Sequence, residues 1–150
     1  MRRARGFTLV ELMVTLAVIG LAGAAVALTL PAGDDALRQD ADRFAARIGH
    51  ARDEAILGMR TVEVAVSARG YGFSRRRFDG WQPIEGRAFA TVEWTPGTRP
   101  QLAGREGPLA IRFDPTGAAT PAGVVLVRDG QRVRVSVDGG GVVQVDGRHR

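Results

Sequence analysis

The stretch that most constrains this chain is an apolar run from Phe7 to Leu30, which is 24 residues long and carries one charge, that of Glu11. As an α-helix rising about 1.5 Å per residue it would span roughly 36 Å, more than the hydrocarbon core of a bilayer at about 30 Å. Three arginines precede it within the first six residues. The stretch predicts one membrane-spanning helix, and Glu11 is a candidate functional residue because a carboxylate inside an apolar span is costly.

Three simpler interpretations of this stretch compete. A secretory signal peptide has a basic start, an apolar run of about 7–15 residues and a small-residue cleavage site. Such sites occur at 22–24 and 25–27, but the run is longer and contains Glu11. A plain single-pass anchor explains the length and the arginines and leaves Glu11 unexplained. A buried core helix is disfavoured, since such runs usually stop at about 10–14 residues.

The junction Gly6-Phe7-Thr-Leu-Val-Glu11-Leu resembles the class III signal of type IV pilins and type II secretion pseudopilins. The resemblance implies that a prepilin peptidase cuts between Gly6 and Phe7 and methylates the new terminal amine of Phe7. Residues 1–6 would then be a leader peptide and Glu11 the fifth residue of the processed chain. Residues 7–30 would form the transmembrane and assembly helix.

Physical chemistry gives Glu11 a role in such a filament. Cleavage exposes an amine with a reference pKa near 8 at the head of an apolar helix. Glu11 lies four residues further on, within reach of its own amine or that of a neighbouring subunit. In the low dielectric of a helix bundle, a carboxylate and an amine strongly prefer to pair. We therefore predict that Glu11 sets the axial register between subunits, as a single buried polar group does in a coiled coil.

The charges predict the topology. The formal net charge of +5 falls to +2 once the three leader arginines are removed, so the chain is only slightly basic. Arginines before the span and Asp34-Asp35 after it place the N-terminus in the cytoplasm. The rest of the chain then faces the periplasm of a bacterial cell, anchored in the inner membrane by a single pass. The sequence has no cysteine, which excludes disulfides and thiolate sites.

A second helix is predicted over 31–60, as the periplasmic continuation of the first. Pro31 is expected to break or kink the helix, and Asp34 or Asp35 can cap the new one, which ends near Met59. Apolar residues recur at steps of four and three, which predicts one buried stripe. Its members are Leu37, Ala41, Phe44, Ile48, Ala51, Ala55 and Met59, with Ile56 beside them. Asp40 and Arg43 are spaced for a solvated ion pair on another face.

From residue 61 onward the pattern changes to alternation with a period of two, which predicts strands in a head domain, 61–150. We expect strands over 61–67, 71–73, 87–94, 109–113, 123–128, 131–137 and 142–145. Asp129-Gly130 between two alternating runs predicts a two-residue hairpin. Residues 95–108, rich in glycine and proline, are predicted to be the longest loop, and Gly139-Gly-Gly141 a turn.

Four segments of this half resemble the soluble domain of GspH-type minor pseudopilins of the type II secretion system. They are residues 48–56, Gly70-Tyr-Gly-Phe73, Gly80-Trp-Gln-Pro83 and Phe113-Asp-Pro-Thr-Gly117. The resemblance implies a pilin-like α+β fold, with a long N-terminal helix packed on an antiparallel β-rich head. The predicted order of a helix followed by about seven strands agrees with it.

Catalysis is not expected. The two histidines, His50 and His149, have no second ligand at metal spacing, and no Ser/His/Asp arrangement or phosphate-binding glycine loop is present. We therefore predict a protein that is not an enzyme and binds no cofactor or metal.

Two arginine clusters are candidate nucleic-acid contacts. Arg75, Arg76 and Arg77 lie among aromatic residues, as in single-strand binders. The tail Gly147-Arg148-His149-Arg150 resembles the Gly-Arg-x-Arg ending of FimT-type minor pilins that take part in DNA uptake. In that family the motif closes the last strand, whereas here Gly139-Gly-Gly141 is expected to take that place and the arginines to trail beyond it. Acidic neighbours, at 79, 138 and 146, favour instead a solvated hairpin tip and a frayed terminus, and nucleic-acid binding is not expected.

The sequence is therefore interpreted as a minor pseudopilin of a type II secretion system. The resemblance implies three kinds of partner: a prepilin peptidase, the other major and minor pseudopilins, and an inner-membrane assembly platform. The assembled product would be a short periplasmic pseudopilus for protein export. The alternative is a FimT- or FimU-like minor type IV pilin active in pilus assembly or DNA uptake. A membrane-anchored binding domain without a filament would require Glu11 to be incidental.

Overall fold

The computed structural model describes residues 9–29, 33–102 and 108–148. Two compact units divide the chain, Met1–Ala32 and Gly33–Arg150. The predicted cleavage junction at Gly6 and Phe7 and the predicted break at Pro31 lie outside the described residues.

The first unit contains helix α1 (Leu9–Thr29). Leucine and alanine favour the helix, and apolar side chains surround it instead of forming a stripe. The large apolar side chains between Leu9 and Leu21 are 57–77% exposed. Among the described residues, no helix is both long and apolar enough to cross a membrane. The predicted span, 7–30, begins and ends outside the described residues.

The second unit begins with helix α2 (Gly33–Leu57). Six of the predicted stripe residues are buried, those from Leu37 to Ala55, which confirms the stripe over this range. The prediction for Met59 was wrong, because the helix ends at Leu57 and Met59 takes a left-handed backbone with φ of 49°. Its side chain is 80% exposed. The turn is closed by the Arg60 amide, which donates to the Ala55 carbonyl at 3.1 Å.

Nine strands lie in the described ranges and form two antiparallel sheets. They are β1 (Val62–Val66), β2 (Gly70–Arg77), β3 (Gly80–Pro83), β4 (Val92–Glu93), β5 (Arg99–Gln101), β6 (Leu109–Phe113), β7 (Ala122–Arg128), β8 (Gln131–Val137) and β9 (Val143–Arg148). The first sheet has the order β3-β2-β1-β6, with β4 also paired to β2. The second has the order β5-β7-β8-β9.

The core lies between α2 and the two sheets, because the alternating side chains of the strands turn one apolar row toward the helix. In β1 every second residue is buried, and β7 and β8 repeat the pattern. The predicted hairpin at Asp129-Gly130 is confirmed: Arg128 pairs with Gln131, and both turn residues have positive φ, 48° and 81°. Such a pair of left-handed residues is the geometry of a type I′ turn.

The strand predicted over 87–94 was wrong in most of its length. Arg87–Phe89 is a single 3-10 turn, and only Val92–Glu93 joins a sheet. The cause is a side chain of α2: Arg47 donates through Nη1 to the carbonyls of Ala88 and Ala90, at 3.0 and 3.2 Å. These hydrogen bonds hold the segment against the helix, and in the structure it pairs with a strand only at Val92–Glu93. Strands β3 and β5 were not predicted, and β5 lies inside the predicted loop 95–108.

Candidate functional site

Glu11, the predicted assembly residue, lies in the first described turn of α1 and is exposed. It is the one charged residue between Leu9 and Thr29. One turn further on, the Thr15 hydroxyl donates to the Glu11 carbonyl at 2.6 Å, so this polar side chain is satisfied by its own helix. Glu11 is the one acid of the described helix α1, and its predicted role in assembly stays a prediction.

Three polar side chains of α2 hold the loops of the head. Asp40 accepts hydrogen bonds from the Thr95 amide and hydroxyl, and Arg47 holds the 3-10 turn described above. Near the other end of the helix, Arg52 donates through Nε to the Gly117 carbonyl at 3.2 Å. The helix thus fixes three loops that lie far from it in sequence.

Asp40 is a residue that the sequence interpretation placed wrongly. A solvated pair with Arg43 was predicted, but the Asp40 side chain is 3% exposed and Arg43 approaches only to 3.9 Å. One signal in the sequence could have found it: Asp40 lies three residues after Leu37 and four before Phe44, which puts it on the buried stripe. A buried carboxylate requires partners, and the loop after Trp94 supplies them.

Aromatic rings fill the core beneath this loop. The Tyr71 ring lies 4.7 Å from Phe44 and 5.0 Å from Trp94, between ring centroids. Trp94 donates through Nε1 to the Ser67 carbonyl at 3.1 Å, whereas the buried Tyr71 hydroxyl has no hydrogen-bond partner in the described ranges. Burial raises the pKa of Tyr71 to about 12.

The run Arg75-Arg76-Arg77 does not form one basic surface, because successive residues of a strand point to opposite faces. On one face, Arg75 lies beside Glu54 of α2, with Nη1 to Oε1 at 3.8 Å. On the other face, the guanidinium of Arg76 lies over the Trp81 ring at 5.6 Å. Strand alternation thus separates the middle arginine from its two neighbours.

The outer face of the first sheet carries an ordered stack around Trp81. Arg112 lies over the same ring at 5.4 Å, and its Nε donates to Glu63 Oε2 at 2.6 Å. Cation–π contacts of this kind contribute about 0.5–1 kcal/mol at exposed sites. The stack joins strands β1, β2, β3 and β6 across the face, which is a sufficient structural role for Arg76.

The C-terminal cluster is placed differently from the prediction. Strand β9 continues to Arg148, opposite Arg132 of β8, so this arginine does not trail beyond the last strand. Gly139-Gly-Gly141 is the turn before β9, as predicted, and the Gly141 amide donates to the Asp138 carbonyl at 3.0 Å. Arg150 lies outside the described residues.

Within the part of the chain that the structure describes, no group of three or more histidine, cysteine or acidic side chains could hold a metal ion.

An apolar N-terminal helix with one acid, together with a helix packed on antiparallel sheets, defines a protein of the pilin-like class. Two family models match the chain: the prokaryotic N-terminal methylation motif over residues 1–27, and type II transport protein GspH over residues 40–141. The chain belongs to the GspH family.

The relatives agree with this family and fold. The type II secretion system protein H of Pseudomonas aeruginosa is 36% identical over 101 residues, which are 63% of this chain and 57% of that relative. The minor pseudopilin EpsH of the Vibrio cholerae type 2 secretion system superposes with a TM-score of 0.65 at 20% identity, over 75% of this chain and 97% of that one. The type IV minor pilin FimU of P. aeruginosa superposes with a TM-score of 0.59 at 14% identity, over 75% of this chain and 90% of that one. The predicted family and the predicted pilin-like α+β fold are confirmed.

Proposed function

We propose that the chain is a minor pseudopilin of a type II secretion system, made as a precursor and assembled into a short periplasmic pseudopilus for protein export. The observation that carries the proposal is α1, an exposed apolar helix with one acid, in a chain whose head belongs to the GspH family. The N-terminal methylation motif supports the processing step.

The apolar surface of α1 explains both stages of this function. A helix that is apolar all round requires a nonpolar environment. Before assembly the bilayer supplies it, with the leader arginines in the cytoplasm and the head in the periplasm. After assembly the helices of neighbouring subunits supply it, and transfer between two nonpolar environments is driven by packing and polar pairing. Glu11 provides the polar pair, with the terminal amine of a neighbouring subunit as its partner.

This function requires three kinds of partner. A prepilin peptidase removes residues 1–6 and methylates Phe7, other pseudopilins surround α1 in the filament, and an inner-membrane platform inserts the processed chain. In this scheme the head has no catalytic role, and the filament displays it on its outside.

The processing step is tested by coexpression with a prepilin peptidase and mass spectrometry of the intact chain. The chain is expected to lose six residues and to begin with N-methyl-Phe7. Gly6→Val should block the cut, because a side chain would crowd the scissile bond. Gly20→Val is the matched control, since a Cβ at Gly20 meets no atom of the described residues within 4 Å. An N-terminus after Ala24 or Ala27 would contradict the proposal and favour a secretory signal peptide.

The second candidate function is that of a minor type IV pilin in DNA uptake. The observation that favours it is Arg148, whose backbone lies in β9 opposite Arg132 of β8. The Gly147-Arg148 pair therefore closes the last strand, as in the FimT-type ending that it resembles. Genes for secretion components beside the coding sequence would favour the first function, and genes for competence or pilus components the second.

A further inference from the structure

A cavity of about 250 Å³ lies where the end of α2 meets strands β1 and β2. Three arginines, one acid and two small or apolar residues line it: Arg60, Arg75, Arg77, Glu54, Gly58 and Val62. Its volume is several times the roughly 30 Å³ that one water molecule occupies in the liquid. The cavity is therefore large enough for a carboxylate or phosphate group.

The fold brings the three guanidinium groups to this cavity. Val62 pairs with Arg75 in the antiparallel register of β1 and β2. The Arg76 amide donates to the Thr61 carbonyl at 2.8 Å, which continues the pairing one residue past the end of β1. Arg60 before this strand, and Arg75 and Arg77 of β2, thus line one cavity.

The charge in the cavity is incompletely compensated by the described protein groups. Arginine remains protonated at any physiological pH, so three arginines and Glu54 leave a formal charge of +2. Arg75 and Glu54 approach to 3.8 Å, which is an ion pair but longer than a hydrogen bond. The Nε of Arg75 is buried and has no hydrogen-bond partner among the described residues. A buried donor without a partner is unusual in a folded protein and calls for an acceptor.

We propose that this cavity, the α2-end pocket, is a binding site for a single oxyanion group. An oxyanion there accepts hydrogen bonds from the guanidinium groups that line the cavity, and its charge compensates the excess positive charge of Arg60, Arg75 and Arg77. The planar fork of a guanidinium matches the spacing of carboxylate and phosphate oxygens, which makes the contact selective for that chemistry over chloride. The oxyanion comes either from a free anion or from an acidic side chain of a bound protein segment, and both sources share this chemistry.

The test is a titration of the full chain, in a non-ionic detergent, followed by NMR of ¹⁵N-labelled arginine side chains. One arm uses inorganic phosphate and the other the amide of N-acetylglutamate, with ionic strength held constant by sodium chloride. The Arg75 Nε–H signal is expected to shift and saturate. Saturation by phosphate alone identifies a free anion as the ligand, and saturation by the glutamate derivative identifies an acidic side chain.

Four variants test the site, and one of them is the control. Arg75→Gln, followed through the Nε–H signal of Arg77, and Arg77→Gln, followed through that of Arg75, should each weaken binding about tenfold, since each removes a charge-assisted contact. Glu54→Gln should tighten binding, because it removes the competing carboxylate. Arg76→Gln, on the opposite face of the strand, should leave the affinity unchanged. A titration without saturation in both arms would overturn the proposal, and so would a loss of binding in Arg76→Gln as large as that in Arg75→Gln.

Discussion

Asp40 of α2 and Thr95 of the loop after β4 are joined by two hydrogen bonds to one buried carboxylate. The Thr95 amide donates to Oδ2 at 3.1 Å and its hydroxyl donates to Oδ1 at 2.9 Å. The pair fixes the loop that follows Trp94. The Trp94 ring packs against the ring of Phe44, which lies one turn after Asp40 in α2, with the ring centroids 5.3 Å apart. The Asp40 carboxylate thus holds in place the loop that covers the aromatic core.

Removing this carboxylate should destabilise the head strongly. Asp40→Ala leaves two donors without an acceptor, and we expect a loss of about 3 kcal/mol in the free energy of unfolding. Asp40→Asn keeps one acceptor oxygen and should lose less. Urea unfolding of the full chain in detergent measures both. Asp42→Ala is the control, because this exposed neighbour should change stability by no more than about 0.5 kcal/mol. Equal losses in the two alanine variants would contradict the assigned role.

The fold could be predicted where buried and exposed residues alternate along the chain with the period of a helix or a strand. The stripe from Leu37 to Ala55 and the alternation in β1, β7 and β8 report directly which side chains are buried. The same stripe spacing puts Asp40 on the buried face, but the partners of Asp40 and Arg47 could not be predicted, because they lie more than 40 residues away in sequence. The same distance explains the missed 3-10 turn, whose carbonyls bond to Arg47.

The turn before β9 offers a test of backbone packing. Gly141 has φ of 78°, and a Cβ there would lie 2.1 Å from the Gly117 carbonyl oxygen, the same oxygen that Arg52 holds. Gly141→Ala should therefore cost about 3–4 kcal/mol, from backbone strain and from the displaced loop. Gly130→Ala is the matched control, since its φ of 81° gives the same strain and its Cβ meets no described atom within 4 Å. It should cost only about 1–2 kcal/mol. Similar losses in both variants would show that the contact with Gly117 is not tight.

Stability should fall at alkaline pH because of Tyr71. Burial raises its pKa from 10.0 to about 12, so the folded chain keeps the phenolic proton after the unfolded chain has lost it. The resulting stabilisation is complete below pH 10 and is lost as the pH rises toward 12. A shift of this size corresponds to about 2–3 kcal/mol. The chain has no lysine or cysteine and only one tyrosine, so no other side chain has a reference pKa in this range.

Urea unfolding at a series of pH values from 9 to 12 measures this effect, with tyrosinate absorbance as a direct readout of the proton. Tyr71→Phe should be about as stable as the parent at neutral pH, because the hydroxyl that it removes has no hydrogen-bond partner in the part of the chain that the structure describes. Its stability should not fall between pH 10 and 12. A Tyr71→Phe variant with the same alkaline decline as the parent would assign the effect to another group.

The role proposed for Glu11 predicts that its removal affects assembly of the filament but not insertion into the membrane. Glu11→Ala removes a polar group from an apolar helix, so insertion should be unchanged or slightly improved. Incorporation into the filament should fall, because a neighbour's terminal amine loses its partner. Cross-linking of subunits in cells measures incorporation, and membrane fractionation measures insertion. Thr15→Ala is the control, since the Thr15 hydroxyl bonds within its own helix. Assembly of Glu11→Ala at the level of the parent would exclude a register role.

The arginine clusters show that residues adjacent in the sequence need not lie on the same surface. Arg75, Arg76 and Arg77 are consecutive in the chain, but strand alternation divides them between a cavity beside α2 and a stack on the outer face. For the tail, the hydrophobic pattern ended the last strand too early, because Asp146 and Gly147 interrupt the apolar alternation while their backbone still pairs with β8.

DNA binding decides between the two candidate functions, and its salt dependence is the informative quantity. If Arg75, Arg76, Arg77, Arg148 and Arg150 all neutralised phosphates, the slope of log affinity against log salt would be roughly −3.5 to −4.5. The described geometry opposes this, because Arg76 faces away from Arg75 and Arg77. We expect weak or no binding at physiological salt, since the processed chain is only slightly basic. The measurement is a salt series with the full chain in non-ionic detergent, beside a variant with all five arginines changed to Gln. Submicromolar binding that collapses in the variant would overturn the secretion assignment and favour the DNA-uptake pilin.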